Sequence, residues 1–309
     1  MQDFNKDDNN LNPKPSFIQN LNPFGYVIIV LLIVFFLYQI IGGFLAIISG
    51  GEKLDENIQI TRIVLAFGQY MLILAPTIFF TRLQTSDIKR TFRLKLPSPG
   101  LLTLSIMGIV LIQPLLQGYM YFQDFILNHL PILQDSIKWL KDIFDMLEKT
   151  TDKIVSAYSP LEFIVVVFVI GITPAICEEI LFRGFVLKNI EKVAKPSIAI
   201  FLTGFLFALY HFEPFNMIPL IVLGCYLGFV VHYSESILTG MVCHFFNNFF
   251  ASYLLYRYGA EELKTPEISS SETLNVLTMM SVSLILFVII LILYYKLRSK
   301  QAVEMYKKI

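Results

Sequence analysis

Glu178, His211, His244 and Asn248 lie inside long apolar stretches of a 309-residue chain, with Glu179 and Arg183 beside the first of them. A charged side chain at the centre of a bilayer costs roughly 2.5–3.5 kcal/mol on insertion scales. Such groups persist where they pair, face a wet cavity or do chemistry. A carboxylate, two imidazoles and a carboxamide are the parts needed to activate a water and to hold the oxyanion that results. The four are therefore the candidate catalytic set, with Glu179 and Arg183 as its support.

Spacing says that they can meet. Glu178 stands about 16 residues before the Lys195–Pro196 turn and His211 about 16 after it. At 1.5 Å per residue each is roughly 24 Å from the turn, at a common depth in an antiparallel hairpin. His244 and Asn248 are spaced i, i+4 and share a helix face, and Glu179 and Arg183 have the same spacing in the order that favours an ion pair. With Arg183 committed to Glu179, the Glu178 carboxylate, turned about 100° away on the helix, is free to hold a water. A desolvated carboxylate gains proton affinity, as a general base needs. His211 can share the water or shuttle its proton, and His244 and Asn248 can donate to an oxyanion.

The elements that must position these side chains are membrane helices. Hydrophobic residues make up 55% of the chain and charged residues 16%, where a soluble domain carries about 25% charged; mean hydropathy is +0.65. Net charge is +0, which leaves no basic surface for nucleic acid. Runs of about 20 apolar residues can span a bilayer, and eight are predicted: roughly 24–48, 58–80, 101–122, 161–187, 197–212, 215–233, 237–256 and 274–295. The fold class is an all-α polytopic bundle of about eight transmembrane helices. Pro76 and Pro174 fall inside spans and predict kinks. The wet segment 123–160 carries Ile137, Leu140, Ile143, Phe144 and Leu147 at helical spacing, with charges on other faces, so it reads as an amphipathic helix on the bilayer surface or capping the bundle.

These spans divide the chain into a flexible tail (1–23), N-terminal helices with the amphipathic segment (24–160), a catalytic core (161–256), and a last helix with its tail (257–309). Lys and Arg near the span ends number sixteen on one side against seven on the other if all eight spans cross. That bias puts both termini in the cytoplasm of a multi-pass cell-membrane protein. Cys177, Cys225 and Cys243 share no metal or redox spacing and read as buried thiols. Arg62 and Gln69, in the second span, could line a cavity, but nothing in the sequence pairs them with the site. His232 reads as an interfacial histidine, His129 lies in the wet segment, and Phe207 reads as a packing ring one turn before His211.

Three motifs in order carry a resemblance. Glu178-Glu179-Ile180-Leu181-Phe182-Arg183 matches EExxxR, Phe207-Ala208-Leu209-Tyr210-His211 matches FxxxH, and His244-Phe245-Phe246-Asn247-Asn248 matches HxxxN/D. Over about 161–256 the chain resembles the CAAX-protease and bacteriocin-processing (CPBP, or Abi) group of intramembrane peptidases, which includes the type II CAAX prenyl proteases. The resemblance implies an intramembrane endopeptidase acting on a peptide or membrane-protein substrate within the lipid bilayer. In that reading Glu178 activates water with His211, His244 and Asn248 form the oxyanion hole, and Glu179 and Arg183 support them. It implies no cofactor, although Glu178, His211 and His244 are also a three-ligand zinc set, so a metal-dependent variant stays open. Two further readings use the same residues. One is an idle scaffold or bacteriocin-immunity factor that binds a peptide partner; the other is a proton-coupled transporter with Glu178 and the histidines as relay.

Overall fold

A computed structural model describes residues 21–51, 54–129, 131–262 and 270–306. The predicted tail falls outside them as far as residue 20, as do Lys6, Lys14, Lys53, Lys264, Lys307 and Lys308 of the charge count. Among the described residues every regular element is helical. Six helices are long and apolar enough to cross a membrane: α1 (Pro23–Gly50), α2 (Asn57–Gln84), α3 (Pro99–Leu127), α5 (Pro160–Ile190), α7 (Pro214–Ser234) and α9 (Ser271–Gln301). Between them lie α4 (Pro131–Val155), the shorter apolar α6 (Pro196–His211) and α8 (Ile237–Glu262). All eight predicted apolar runs fall on helices. The fifth, α6, is only 16 residues, and α8 has the length of a span but is diluted by the polar side chains that make it informative.

Burial is inverted relative to a soluble protein. Leu32, Ile40, Phe44, Ile63, Phe67, Leu284, Ile285 and Ile292 all point outward. In water so large an apolar surface would aggregate, whereas in lipid it is the solvated face. The molecule is a multi-pass membrane protein. Helix α5 is the hub of the interior: Leu181, Phe182, Phe185, Val186 and Leu187 are fully buried, packed against Val27, Val30 and Val34 of α1 and Phe207 and Tyr210 of α6. A second apolar cluster joins Ile109 and Ile112 of α3 to Leu223, Tyr226, Leu227 and Val230 of α7 and Cys243 of α8.

Small residues set the closest approach. A Cβ built on Gly224 of α7 would stand 2.8 Å from the Gly204 Cα of α6, and one on Gly204 would stand 2.7 Å from the Cys225 backbone nitrogen. Without side chains there, two helix backbones touch, as they do at small-residue crossings in membranes. This crossing holds the α6–α7 hairpin against α5, where the Gly224 carbonyl accepts a bond from Arg183 Nη2 at 3.1 Å.

The prolines predicted to kink helices act differently. Pro76 and Pro174 each follow a wider π-helical stretch, Gln69–Leu74 in α2 and Val167–Ile172 in α5. A proline lacks the N–H that an α turn needs, and a π stretch one turn earlier absorbs the mismatch without breaking the helix. Further π stretches cover Phe36–Gly42 in α1 and Ile180–Val186 in α5, the latter starting directly after Glu179.

Polar contacts collect at the two ends of the bundle. At one end Glu191 accepts from His232 Nδ1 (2.6 Å) and pairs with Arg93, Lys95 pairs with Glu235, and Arg298 lies over the Tyr233 ring. His232 is thus a hydrogen-bond partner of Glu191 as well as a residue near a helix end. At the other end Arg62 is almost fully buried. It donates to the carbonyls of Lys153, Ile154 and Ser156 and to the Glu162 carboxylate (2.7 Å). This clamp fastens α4, the predicted amphipathic helix, to the starts of α2 and α5. Phe144 packs edge-on against Phe215, while Trp139, Ile143 and Met146 leave an apolar strip facing out.

Trp139 is the chain's one tryptophan and is 64% exposed, so intrinsic tryptophan emission reports α4 alone. In liposomes of brominated lipid that emission is expected to be quenched well below its level in unbrominated lipid. Unchanged emission would place the strip in water. The Glu191 cluster predicts a pH dependence. Burial raises the Glu191 carboxyl, but the His232 hydrogen bond and the Arg93 charge outweigh it and hold the group below the usual carboxylate range. Its stabilisation is therefore complete above the ordinary value of about 4.3 and is lost as pH falls through the lower folded value. Glu191→Gln should lower the thermal midpoint at neutral pH, with the gap from wild type closing below about pH 4.

Candidate active site

Helix α5 brings Glu178 and Glu179 to the centre of the bundle, and the two adjacent carboxylates have opposite surroundings. Glu179 is completely buried and doubly tied through one oxygen: its Oε1 accepts from Arg183 Nη1 at 2.5 Å and from His244 Nδ1 at 3.0 Å, while Oε2 has no hydrogen-bond partner among the described residues. Arg183, equally buried, stacks over the Phe207 ring at 4.7 Å. Removing one partner from a buried charge pair costs about 3–5 kcal/mol, so Glu179 and Arg183 hold each other in place. Room for this carboxylate comes from Gly240, one turn before His244 on α8. A Cβ there would lie 2.5 Å from Glu179 Oε2.

Glu178 is the free carboxylate. Its side chain is 14% exposed, and its Oε2 is buried without a hydrogen-bond partner among the described residues. Two imidazole nitrogens face that one oxygen, His211 Nε2 at 3.9 Å and His244 Nε2 at 4.0 Å. The far nitrogen of each ring is tied. His211 Nδ1 bonds the Phe207 carbonyl at 2.8 Å and His244 Nδ1 bonds Glu179. A carbonyl and a carboxylate only accept, so both Nδ1 atoms carry hydrogen, and a neutral ring then turns a lone pair on Nε2 towards Glu178. The separations are too long for direct hydrogen bonds and short enough for one shared water.

His211 is the last residue of α6. The chain leaves the helix through Phe212 in the left-handed conformation (φ 56°), a costly state for a residue with a bulky side chain. The turn stops α6 one turn beyond Phe207, which leaves the His211 ring at the open end of the helix and still bonded back to the Phe207 carbonyl.

Asn248 sits one turn beyond His244. Its Nδ2 donates to the Ile170 carbonyl of α5 at 2.9 Å, and its Oδ1 accepts from Asn247, which in turn accepts from Gln113 of α3 at 2.9 Å. The contact places Asn248 on the face of α8 that meets α5, as His244 is, and the bonds described for it run to Ile170 and Asn247 rather than to Glu178.

The fit to a metal is poor as the atoms stand. A tetrahedral zinc with bonds of about 2.0–2.1 Å holds neighbouring ligand atoms roughly 3.3 Å apart, closer than the 3.9 and 4.0 Å found about Glu178 Oε2. Among the described residues no group of three or more His, Cys, Asp and Glu is set to hold an ion.

With this geometry in view, residues 160–250 match the family model described as type II CAAX prenyl endopeptidase Rce1-like. That segment is similar to the CAAX-protease family. It covers less than a third of the chain but takes in Glu178, Glu179, Arg183, His211, His244 and Asn248 together. No curated protein and no solved structure matches the chain. Within the matched segment, sequence reasoning missed the bond between Glu179 and His244. The one sequence signal for it was Gly240, a residue without a side chain four positions before the histidine.

Gly240→Ala should push the Glu179 carboxylate off its two partners and cost about 1–3 kcal/mol, as overpacking does in tight cores. The check is the thermal midpoint in detergent against Gly25→Ala, where an added Cβ meets nothing within 4 Å. Equal midpoints would mean that the carboxylate is free to move.

Proposed function

We propose that the chain is an intramembrane endopeptidase in which Glu178 is the general base. The observation that carries this reading is the unpartnered Glu178 Oε2 facing two oriented Nε2 atoms at 3.9 and 4.0 Å. A water among these three atoms has an acceptor for its proton in Glu178 and is fixed by His211. Its oxygen attacks the scissile carbonyl carbon as the proton passes to Glu178, giving a tetrahedral intermediate with a negative oxygen. Glu178 then returns the proton to the leaving nitrogen, the C–N bond breaks, and the carboxylate is regenerated.

His244 and Asn248 supply the donors. With a second proton on Nε2, His244 donates to the oxyanion, and the Glu179 carboxylate on the opposite nitrogen offsets the imidazolium charge, as a buried carboxylate does for histidine in hydrolytic triads. Asn248 spends one amide hydrogen on Ile170 and has a second to give. The bond to Ile170 also fixes the direction of the amide, and preorganised donors are the ones that accelerate acyl chemistry. The substrate is a peptide or membrane-protein segment that enters from the lipid phase, and both termini of the enzyme face the cytoplasm. The family match favours neither an idle scaffold nor a transporter.

Glu178→Gln should abolish cleavage, because an amide cannot accept the water's proton. Asn248→Ala should lower kcat by about 100-fold with little change in KM, since the donor acts on the transition state. Peptide turnover by purified protein in liposomes measures both, and wild-type cleavage by Glu178→Gln would end this reading. The same assay after chelation addresses a metal: full activity fits a carboxylate base, and a loss that zinc restores would make Glu178, His211 and His244 ligands.

A further inference from the structure

Polar atoms with unspent bonding capacity extend beyond Glu178 into helices outside the matched segment. Gln69 of α2 and Tyr210 of α6 are each more than nine-tenths buried, yet Gln69 Oε1 and the Tyr210 hydroxyl have no hydrogen-bond partner among the described residues. Each such atom costs about 1–3 kcal/mol. They belong to one neighbourhood. Tyr38 of α1 lies beside the Gln69 amide, and the hydroxyls of Tyr38 and Tyr210 are both within electrostatic reach of the Glu178 carboxylate. The stretch of α2 that begins at Gln69 packs against the turn of α5 that carries Glu178. Gln39, next to Tyr38, donates to the Tyr210 backbone carbonyl at 2.9 Å, which fastens α1 to the last turn of α6. The Tyr210 ring is held edge-on between Phe35 and Phe182, so its hydroxyl has a fixed direction.

A peptide cleaved inside a bilayer must be unwound at the scissile bond, and its exposed N–H and C=O groups then need partners that lipid cannot supply. We infer that Gln69 and Tyr210, backed by Tyr38, form a subsite for the substrate's extended backbone: Gln69 Oε1 accepts a peptide N–H and the Tyr210 hydroxyl donates to a peptide carbonyl. The inference rests on the peptidase reading and adds to it residues of the first two spans. It also says what the site recognises, namely an unwound main chain rather than a particular side chain. Gln69 and Tyr210 are positioning residues, and the reacting atoms stay with Glu178 and the histidines.

The test uses full-length protein in liposomes and a quenched-fluorescent library of single-span peptides, from which one cleaved member is taken. That peptide is then remade as a series in which each backbone N–H near the cut is replaced in turn by an ester oxygen. Wild type should lose about three- to ten-fold in kcat/KM, the worth of one hydrogen bond, at one or two ester positions. Gln69→Met and Tyr210→Phe should each show a similar loss on the all-amide peptide, chiefly through KM. Gln69→Met should lose nothing further at the ester position that removes its N–H partner. Tyr210→Phe should lose less than wild type at the ester position whose carbonyl, a weaker acceptor than an amide's, faced its hydroxyl.

Wild-type kcat/KM in both variants would overturn the inference, as would losses that add to every ester alike, since those report a general disturbance. Tyr210→Phe keeps the ring contacts, so it carries the test alone if Gln69→Met does not fold. Glu178→Gln is the blank. Cleavage by that blank at the wild-type rate overturns the peptidase reading and the inference together, whereas a silent blank with unaffected Gln69 and Tyr210 variants overturns the inference only.

Discussion

Everything at the centre of this bundle is arranged around one buried anion, the Glu179 carboxylate. It is inaccessible to water, and its fixed countercharge is Arg183, so burial would be prohibitive without the 2.5 Å contact between them. Arg183 in turn needs the Gly224 carbonyl, which is reachable because Gly204 and Gly224 let α6 and α7 touch. The carboxylate's remaining bonding capacity sets the tautomer and tilt of His244. Helix crossing, ion pair and imidazole orientation are thus consequences of neutralising a single charge. A carboxylate tied to Arg183 and His244 lies next in sequence to one without such ties, and that contrast separates support from chemistry.

Much of this was legible in the sequence because membrane burial makes polar residues conspicuous. Glu178, His211 and His244 stood out against apolar neighbours, and counting residues from the Lys195–Pro196 turn brought two of them to one depth. The helices around them followed from hydropathy. Helix length was less legible: both α6 and α8 read as spans in the sequence, yet α6 is only 16 residues long and α8 is not among the six helices long and apolar enough to cross.

Other features were hidden for physical reasons. That His244 bonds Glu179 rather than Glu178 depends on which face α8 presents, and the Gly240 notch decides that. The prolines at 76 and 174 announced irregular helix, but whether a helix bends or widens depends on packing, and here both widened. Arg62 gave little hint of its partners because all but Glu162 are main-chain carbonyls of a distant segment, and carbonyls leave no trace in a sequence. Gln69 and Tyr38 looked generic for the opposite reason: single polar residues in two different spans become a cluster only when the spans are side by side.

The shortness of α6 has a consequence for the solvent. Sixteen residues rise about 24 Å, and the hydrocarbon of a bilayer is about 30 Å thick. Even standing upright, α6 stops short of the far headgroups, and it stops at His211. Lipid alongside so short an element is drawn thin, or the gap fills from the aqueous phase. The shortfall thus lies where the imidazole ends the helix. For the proposed peptidase, which needs one water for every bond it breaks, that shortens the stretch of hydrocarbon between the headgroup water and His211.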